Sequence, residues 1–565
     1  MNILKYLLIL GFFISFSSCS DDLLEETPKD FLSPNNSYNK PQDINSALNH
    51  QYNRIRSYNG GKYWDYSYLH YGTDLAQYSR SKTAYLGDYN STLLPTSGIV
   101  STYWSNYYGM IFNSNVILSR IEGIEYQSET EKAIHIAEAK FFRGYAYRCL
   151  VHLYGGVPLV EEEITSPKRD FKRATKQETL AFAIKDLEDA AAVLPTVVNV
   201  SSGGKASNAA ANHLLAELYL ALGDPDKAII ASSAVINDPN IALMTSRFGS
   251  RSKEDGDPYW DLHQAGNQNR NSGNTEGIFV IQVDNTTAGG GAEDNYNYNN
   301  SNALSFERNY GPIYFQIKTP EPEGINICFG PTTQQGGRPV AFVTPTGYLT
   351  QTIWKNGNWD IDQRNNERNI QRDWTVDNPK SSWFGKKTSD FPQSWKDGLT
   401  EQDTMMFYTP YITKVTTKND HPDFIKANVE TGEVNSLAGI TYHDWYLMRV
   451  AETYLLRAEA YLAKGNTDLA ANDINMVRER SNALPVKSSE VNIDYILDER
   501  LRELNYEEPR RMTLSRLGLL VERTRKFNPY SGVTIQDYNN LFPIPFSEIE
   551  RNTLEVLEQN PGYTN

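Results

Sequence analysis

The chain has 565 residues, of which 39% are hydrophobic, and a formal net charge of −15 at neutral pH. That length and composition suit one or two packed domains and argue against an intrinsically disordered or an integral membrane protein. The negative charge repels phosphate backbones, so nucleic acid is not an expected partner. Aromatic residues make up 12% of the chain, and their flat faces with polar edges suit sugar rings and peptides alike.

The N-terminus has the pattern of a secretory signal that ends at a cysteine. Lys5 is its only formal side-chain charge, an apolar core follows at 6–16, and two serines precede Cys19. We therefore predict a signal peptide at 1–18, a lipidated thiol at Cys19 and a tether at 19–34. The apolar run is shorter than the roughly 18 residues that span a bilayer, which disfavours a transmembrane anchor. An ordinary cleaved signal with an incidental cysteine is the alternative.

Cysteine and metal motifs are sparse, so no metal or cofactor is expected. Cys149 and Cys328 could form at most one disulfide, and the apolar helical pattern around Cys149 favours a buried thiol. Asn358, Asp360 and Asp362 alternate as calcium ligands can, but the glycine and distal glutamate of the calcium loop are missing. A solvated turn is the preferred interpretation of that segment.

Helical periodicity dominates both ends of the chain. Residues 131–154 carry apolar side chains on two helical faces, which is typical of a helix packed inside others. The pattern stops at Gly155 and Pro158. Residues 177–194 form a second, amphipathic pattern that ends at Pro195. We expect the two helices to form an antiparallel pair.

An internal repeat points to the same architecture. Residues 214–228 (LLAELYLALGDPDKA) match residues 456–470 (LRAEAYLAKGNTDLA) at Ala-Glu, Tyr-Leu-Ala, glycine and a final alanine. Small residues let two helices approach, and the glycine breaks the chain between them, as in a tetratricopeptide-like helix-turn-helix unit. A generic helical hairpin is the alternative. The distance between the copies indicates that an insertion interrupts the repeat scaffold.

The insertion covers about 247–442 and is rich in Asn, Gly, Thr and Trp. Short strands are expected at 277–283, 339–343 and 405–415. The predicted fold is therefore mainly α, a tetratricopeptide-like helix-turn-helix scaffold with a large, irregular, loop-rich insertion that contains short strands. We expect a single domain at 35–565, with its scaffold at about 35–246 and 443–565.

Several short motifs are spread in order along nearly the whole chain. They are Cys19 with Asp21 and Asp22, then residues 137–140 with Arg143, 154–159, 204–206, 274–279, 449–455, 499–504, 510–511, 541–545 and 559–563. Together these motifs resemble the SusD/RagB family. One departure is Glu508-Pro509 before Arg510, where the family tends to carry glycine.

The resemblance implies a surface lipoprotein of the outer membrane that faces the cell exterior and has no catalytic residues. Such a protein would capture oligosaccharides and deliver them to a SusC-like TonB-dependent transporter. Peptide capture is the nearest alternative, as in RagB-like receptors. A glycoside hydrolase is a weaker one, because its site needs only two carboxylates about 5 to 10 Å apart and no sequence motif. A protein-docking adaptor is a third.

The shared motifs belong to the scaffold, so the binding residues are predicted from chemistry. The first choice is the cluster at 74–89, where tyrosine, arginine and aspartate alternate with turn residues; a tyrosine-rich stretch at 58–71 is another candidate. A further cluster lies in the insertion. The candidate ligand-binding residues are Asp74, Tyr78, Arg80, Tyr85, Tyr89, Tyr296, Tyr298, Trp354 and Trp359.

Replacing the cysteine tests the predicted anchor. Cys19→Ala removes the thiol that would carry lipid, so we expect unchanged ligand affinity in solution but reduced retention at the cell surface and reduced uptake. Cell fractionation and uptake assays measure the second effect. Full retention of the variant in the membrane fraction would contradict the anchor.

Overall fold

The computed structural model describes residues 37–60, 66–292, 303–355 and 358–564. The predicted signal, Cys19 and the tether at 19–34 lie outside these ranges. None of the helices in these ranges combines the length and the apolar character of a membrane span. The longer helices are α1 Pro41–Gly60, α2 Gly98–Arg120, α3 Glu129–Tyr154, α4 Lys176–Val193, α5 Asn208–Leu222, α6 Pro225–Ile236, α7 Val450–Ala463, α8 Thr467–Arg480, α9 Ile493–Leu504, α10 Arg510–Arg516 and α11 Leu520–Phe527.

The described strands are short, and six of the eight lie in the insertion. Their bounds are β1 Ala76–Tyr78, β2 Gly277–Ile281, β3 Val343–Pro345, β4 Ile370–Gln371, β5 Tyr411–Ile412, β6 Lys426–Asn428, β7 Glu433–Val434 and β8 Trp445–Arg449. They form two-stranded antiparallel pairs, β1 with β3, β2 with β8, β4 with β5 and β6 with β7.

Short helical turns fill the rest of the regular structure. They are Tyr66–Leu69, Tyr89–Thr92, Ile121–Gly123, Pro258–Leu262, Arg270–Ser272, Phe306–Tyr310, Tyr314–Gln316, Thr333–Gln335, Gly347–Thr350, Thr352–Trp354, Gln363–Asn365, Thr388–Asp390, Gln393–Asp397, Glu401–Met406, Thr413–Val415, Asp423–Ile425, Ser488–Glu490, Ser531–Thr534, Asp537–Asn540 and Phe546–Arg551.

The helices stack side by side in chain order, from α2 to α6. The predicted antiparallel pair is confirmed as α3 and α4. Nearly every side chain from Ala137 to Tyr154 in α3 is buried, as the two apolar faces predicted. Gly155 ends α3 with φ +76°, a conformation that favours glycine. Thr175 and Glu178 form a capping box that starts α4.

The two repeat copies are confirmed as two helical hairpins, α5 with α6 and α7 with α8. Gly223 and Gly465 occupy the same place between the helices, with φ +86° and +78°, so both turns use backbone conformations that favour glycine. Although about 210 residues separate the two hairpins in the chain, α7 packs directly against α6. The stack therefore continues across the insertion, and the mainly α scaffold is confirmed.

The strand predictions in the insertion are only partly right. The strand predicted at 277–283 is observed as β2, whereas the strand predicted at 339–343 is displaced to Val343–Pro345. In 405–415 only Tyr411 and Ile412 form a strand, because Met405 belongs to the helical turn Glu401–Met406. Short strands beside loops depend on their distant partners more than on local periodicity. Cys149 and Cys328 are both buried free thiols, as favoured for Cys149.

A buried ion network joins the insertion to the scaffold. Arg449, the last residue of β8, donates through Nη1 to Glu276 at 2.5 Å and to Glu503 at 2.8 Å. Its Nε donates to Glu507 at 2.6 Å. Glu276 stands just before β2, whereas Glu503 belongs to α9. One guanidinium therefore fixes the strand pair against the C-terminal helices.

Further arginines extend the same network. Arg364, in the insertion, donates to Asp362 at 2.7 Å and lies 2.8 Å from Glu499 and 3.0 Å from Glu503. Arg480, at the end of α8, also pairs with Glu503. These side chains are fully or almost fully buried. Glu276, Glu499 and Glu503 therefore each have more than one guanidinium partner, which is how a buried charge stays ionised.

Glu508 and Pro509, which stand where the SusD/RagB resemblance leads us to expect glycine, form a regular turn. Pro509, with φ −71°, immediately precedes α10, a position where the fixed φ of proline suits helix entry. The carboxylate of Glu508 accepts from Arg500 at 2.9 Å, and its carbonyl accepts from His70 at 2.9 Å. The charge that replaces the expected glycine is thus paired inside the protein.

Removing one residue of the buried ion network should lower the stability of the fold. Arg449→Met leaves three buried carboxylates without their shared guanidinium, so we expect the free energy of unfolding to fall by about 3 to 5 kcal/mol. Urea denaturation measures it. Arg525→Met removes an exposed pair with Asp537 and should cost about 1 kcal/mol or less. Equal losses for both variants would contradict a central role for Arg449.

The pH dependence of stability follows from the pKa shifts. Burial alone would raise the pKa of Glu452, but Arg500 and His213 together outweigh it and lower that pKa to about 2. A lowered carboxyl pKa contributes stability above the ordinary value near 4.3, and the contribution is lost as the pH falls toward 2. We expect the urea midpoint to drop steeply below about pH 4.5. A flat midpoint from pH 6 to 3 would be inconsistent with these ionised pairs.

Candidate functional site

Four tyrosines from two sequence stretches pack into one group, here called the tyrosine cluster: Tyr68, Tyr71, Tyr78 and Tyr85. The ring centroids of Tyr78 and Tyr85 are 4.6 Å apart, and Tyr68 lies 5.8 Å from Tyr85. Tyr71 is fully buried beneath them, 5.9 Å from Tyr78. Since the other three rings are half-buried, the cluster has a supported base and a solvent-facing side.

Backbone constraints hold the cluster in place. Tyr78 is the last residue of β1 and pairs with Val343 of β3, so the insertion fixes its position. Tyr85 has φ +49°, which is uncommon for a residue with a side chain and fixes where its ring points. Burial and the neighbouring phenol of Tyr85 raise the pKa of Tyr78, so its hydroxyl stays protonated at neutral pH.

An open cleft of about 570 Å³ runs beside the cluster. One wall carries two rings of the cluster and the other is the start of α2. This volume is in the range of ligand-binding pockets. The lining residues are Tyr68, Ala84, Tyr85, Leu86, Thr92, Ser97, Gly98, Ile99 and Thr102.

Exposed polar groups surround the loop that carries Tyr85. Lys82 pairs with Glu401, and its ammonium lies 4.9 Å from the ring centroid of Tyr530. The hydroxyl of Tyr530 also donates to Glu401. Gln402 donates to the carbonyl of Ser79 at 2.7 Å. Sequence reasoning missed Glu401 and Tyr530, because they are more than 300 residues from Lys82 and no local motif links them.

Arg80 is exposed, and its guanidinium lies 4.4 Å from the ring centroid of Phe342. It also donates to the carbonyl of Val340 at 2.6 Å. The arginine thus covers the edge of the β1–β3 pair next to the tyrosine cluster. Arg80, Tyr78 and Tyr85 therefore stand together on one loop surface.

Three predicted candidates need correction, because the structure buries them. Asp74 is fully buried and accepts from Arg510 at 2.6 Å and from Arg523 at 2.6 Å. Burial would raise the pKa of Asp74, but these two arginines outweigh it and lower that pKa. Its carboxylate joins loop and C-terminal helices and has no face left for a ligand.

Tyr89 and Trp354 are the other two buried candidates. The hydroxyl of Tyr89 donates to the carbonyl of Gly72 at 2.5 Å and accepts from Arg511 at 2.6 Å. The indole of Trp354 is fully buried and donates to the carbonyl of Leu349 at 2.7 Å. Both side chains have packing roles that their sequence surroundings did not reveal.

The insertion candidates do not form one site in the described residues. Tyr296 and Tyr298 lie outside those residues. Trp359 is 38% exposed, with the guanidinium of Arg372 4.8 Å from its ring centroid. Trp359 therefore remains a candidate as a single exposed indole, separate from the buried Trp354.

The predicted solvated turn at 358–362 is wrong for one of its residues. Asp362 is buried, and both carboxylate oxygens accept from Arg364. The side-chain oxygen of Asn358 accepts from Arg478 at 3.1 Å and from the amide of Leu484 at 3.2 Å. Across the described ranges, no group of three or more His, Cys, Asp or Glu side chains could hold a metal ion.

Comparison with known proteins identifies the family. The profile of the SusD family matches residues 275–563, which is more than half of the chain. The chain belongs to the SusD family. A second profile, described as starch-binding and associating with the outer membrane, matches residues 23–220. The SusD assignment therefore covers both the N-terminal helices and the insertion with the C-terminal helices.

Individual relatives agree with the SusD assignment. SusD-like protein P2 of Formosa agariphila is 24% identical over 97% of this chain and 98% of its own length. The starch-binding protein SusD of Bacteroides thetaiotaomicron is 37% identical over a shorter stretch, 21% of each chain. At these identities the relatives support the family and leave the ligand open.

Solved structures show the same fold. A laminarin-binding SusD-like protein superposes with a TM-score of 0.67 and 22% identity, covering 93% of this chain and 100% of that one. Surface glycan-binding protein A of Bacteroides thetaiotaomicron, solved with laminarihexaose, gives a TM-score of 0.64 and 16% identity over 92% and 99% of the chains. The helical stack and its irregular insertion are thus the architecture of SusD proteins.

Proposed function

We propose that this protein is a surface-exposed, non-catalytic glycan-binding lipoprotein that captures oligosaccharides and delivers them to a SusC-like TonB-dependent transporter. The observation that carries the proposal is the tyrosine cluster, in which the half-buried rings of Tyr68 and Tyr85 line an open cleft and Tyr78 packs against Tyr85. Membership of the SusD family supports it, as do the titles of its structural relatives, one laminarin-binding and one solved with laminarihexaose.

The chemistry of the cluster suits sugar rings. Pyranose rings present apolar C–H faces to aromatic planes, and each contact is worth about 1 kcal/mol, by analogy with other stacking on aromatics. Tyr68, Tyr78 and Tyr85 together would therefore supply about 3 kcal/mol. The exposed groups of Arg80 and Lys82 can add hydrogen bonds to hydroxyls. Such a surface gives weak affinity, with a Kd of about a millimolar, which suits capture and release.

Location and transfer complete the proposal. Lipid on Cys19 would hold the protein at the outer membrane, and Asp21 and Asp22 would direct it to the exterior, as the family pattern implies. The SusC-like transporter would accept the ligand beneath the body. Peptide capture by the same cleft is the alternative, because tyrosines and a guanidinium also bind peptides.

Alanine substitutions in the cluster test the site. Tyr78→Ala and Tyr85→Ala each remove one aromatic face, so we expect the affinity for a bound glycan to fall about fivefold or more. Isothermal titration against a panel of glycans, including laminarin and starch oligosaccharides, measures the change. Tyr461→Ala is the matched control, because it removes another half-buried tyrosine, on α7.

The panel also separates the alternatives. Product release at enzymatic rates would refute a binding protein in favour of a hydrolase. Binding of peptides and of no glycan would favour the RagB-like alternative. Unchanged glycan affinity in both cluster variants would place the site elsewhere, with the exposed Trp359 as the next candidate.

A further inference from the structure

A largely apolar groove lies on the helical scaffold, and the proposed function does not use it. It has a volume of about 380 Å³ and three walls: α2, the segment 158–171 and the C-terminal segment 548–557. Its lining includes Trp104, Tyr108, Ile111 and Phe112, all on α2. Phe112 is 48% exposed, which is unusual for a phenylalanine beside a concave surface.

Hydrogen bonds between the walls make the groove a built feature. The hydroxyl of Tyr108 donates to the carbonyl of Pro158 at 2.7 Å, and Asn115 donates to the carbonyl of Val160 at 2.8 Å. The amide of Phe171 donates to the side chain of Asn552 at 2.8 Å. The walls therefore keep their spacing, and the groove does not close on itself.

The described chain begins at one end of this groove. Arg120, at the end of α2, forms a bidentate pair with Glu163. Burial raises the pKa of Tyr38, the nearby Glu163 raises it further, and Arg120 lowers it, which places Tyr38 beside this pair. At 1.5 Å per residue, Phe112 lies about 12 Å further along α2, and Trp104 about 12 Å beyond Phe112.

The charge of the residues beside the groove changes from acidic at the Tyr38 end to basic at the Trp104 end. Glu161, Glu162 and Glu163 stand at the end near Tyr38. Arg173 donates to the carbonyl of Tyr154, whose ring lies 5.1 Å from that of Trp104, so it stands at the opposite end. Its segment carries four cations and one acid, here called the basic edge: Lys168, Arg169, Asp170, Lys172 and Arg173. Of the basic-edge pairs, Lys168 with Asp170 and Lys172 with Glu555 are exposed, so they are weak and readily exchanged.

The chain before residue 37 has a charge pattern that complements the groove. Residues 31–36 are uncharged, whereas 21–30 contain five acids and a single lysine. The same stretch offers Leu23, Leu24, Phe31 and Leu32 as apolar side chains. At about 3.3 Å per residue, an extended chain from residue 36 back to 20 reaches about 55 Å, which is more than the length of the groove.

We propose that this groove binds residues 20–36 of the same chain, with the acidic stretch at 21–30 against the basic edge. In this arrangement the uncharged residues 31–36 lie beside the glutamates at 161–163. The leucines at 23, 24 and 32 and Phe31 cover the apolar lining. Such docking goes beyond the proposed function, because it makes the tether part of the folded body and places Cys19 near the basic edge.

Photo-cross-linking of the full chain tests the docking. With p-benzoylphenylalanine at position 112, we expect mass spectrometry to find cross-links to peptides from 20–36 within the same molecule, with a yield that dilution does not change. The control is the same label at Phe424, which is 38% exposed on the insertion. Cross-links only to a second copy, to lipid or to another protein, or none above the control, would overturn the proposal.

A charge exchange gives an independent readout. Glu25→Lys with Glu26→Lys should lower the intramolecular cross-link about fivefold, since two exposed ion pairs are worth about 1 kcal/mol together. Adding Lys168→Glu and Arg169→Glu should restore it. An unchanged yield in the first variant, or no recovery in the second, would refute the predicted direction of the bound segment. Asp21 and Asp22 are left intact, so export is not altered.

Discussion

Arg449 and the carboxylates around it are the constraint on which the rest of the molecule depends. Its guanidinium contacts Glu276 beside β2, and Glu503 and Glu507 in and after α9, at a point where the insertion returns to the scaffold. Burying so many charges is favourable only when every partner is present. The network therefore acts less as a source of net stability than as a requirement for one relative placement of insertion and scaffold.

That placement determines where the tyrosine cluster stands. Tyr78 keeps its position through the pairing of β1 with β3, and β3 belongs to the insertion. The buried Asp74 fixes the same loop to α10 and α11 through Arg510 and Arg523. The proposed binding surface is thus held by charges at its base, and its rings would lose little freedom on binding a ligand.

Local patterns predicted the helices and the repeat, because their signals lie within one or two turns of the chain. Local patterns predicted only two of the four residues of the tyrosine cluster as individual ligand-binding candidates. Tyr78 and Tyr85 lie half-buried at the surface, whereas Asp74, Tyr89 and Trp354 are buried, and the sequence did not distinguish these two groups. Asp74 and Tyr89 bind arginines more than 400 residues away in the chain, and sequence periodicity carries no information about such contacts. The indole of Trp354 donates instead to a carbonyl five residues back.

The direct packing of α7 on α6 has a consequence for how the protein forms. During synthesis the chain emerges from its N-terminus, so α6 leaves the ribosome about 210 residues before the helix that covers it. Until then α6 lacks one of its neighbours in the stack. Contacts this distant are closed late and slowly. The scaffold therefore cannot mature in the order of its synthesis, and the stack stays unfinished until the second hairpin arrives.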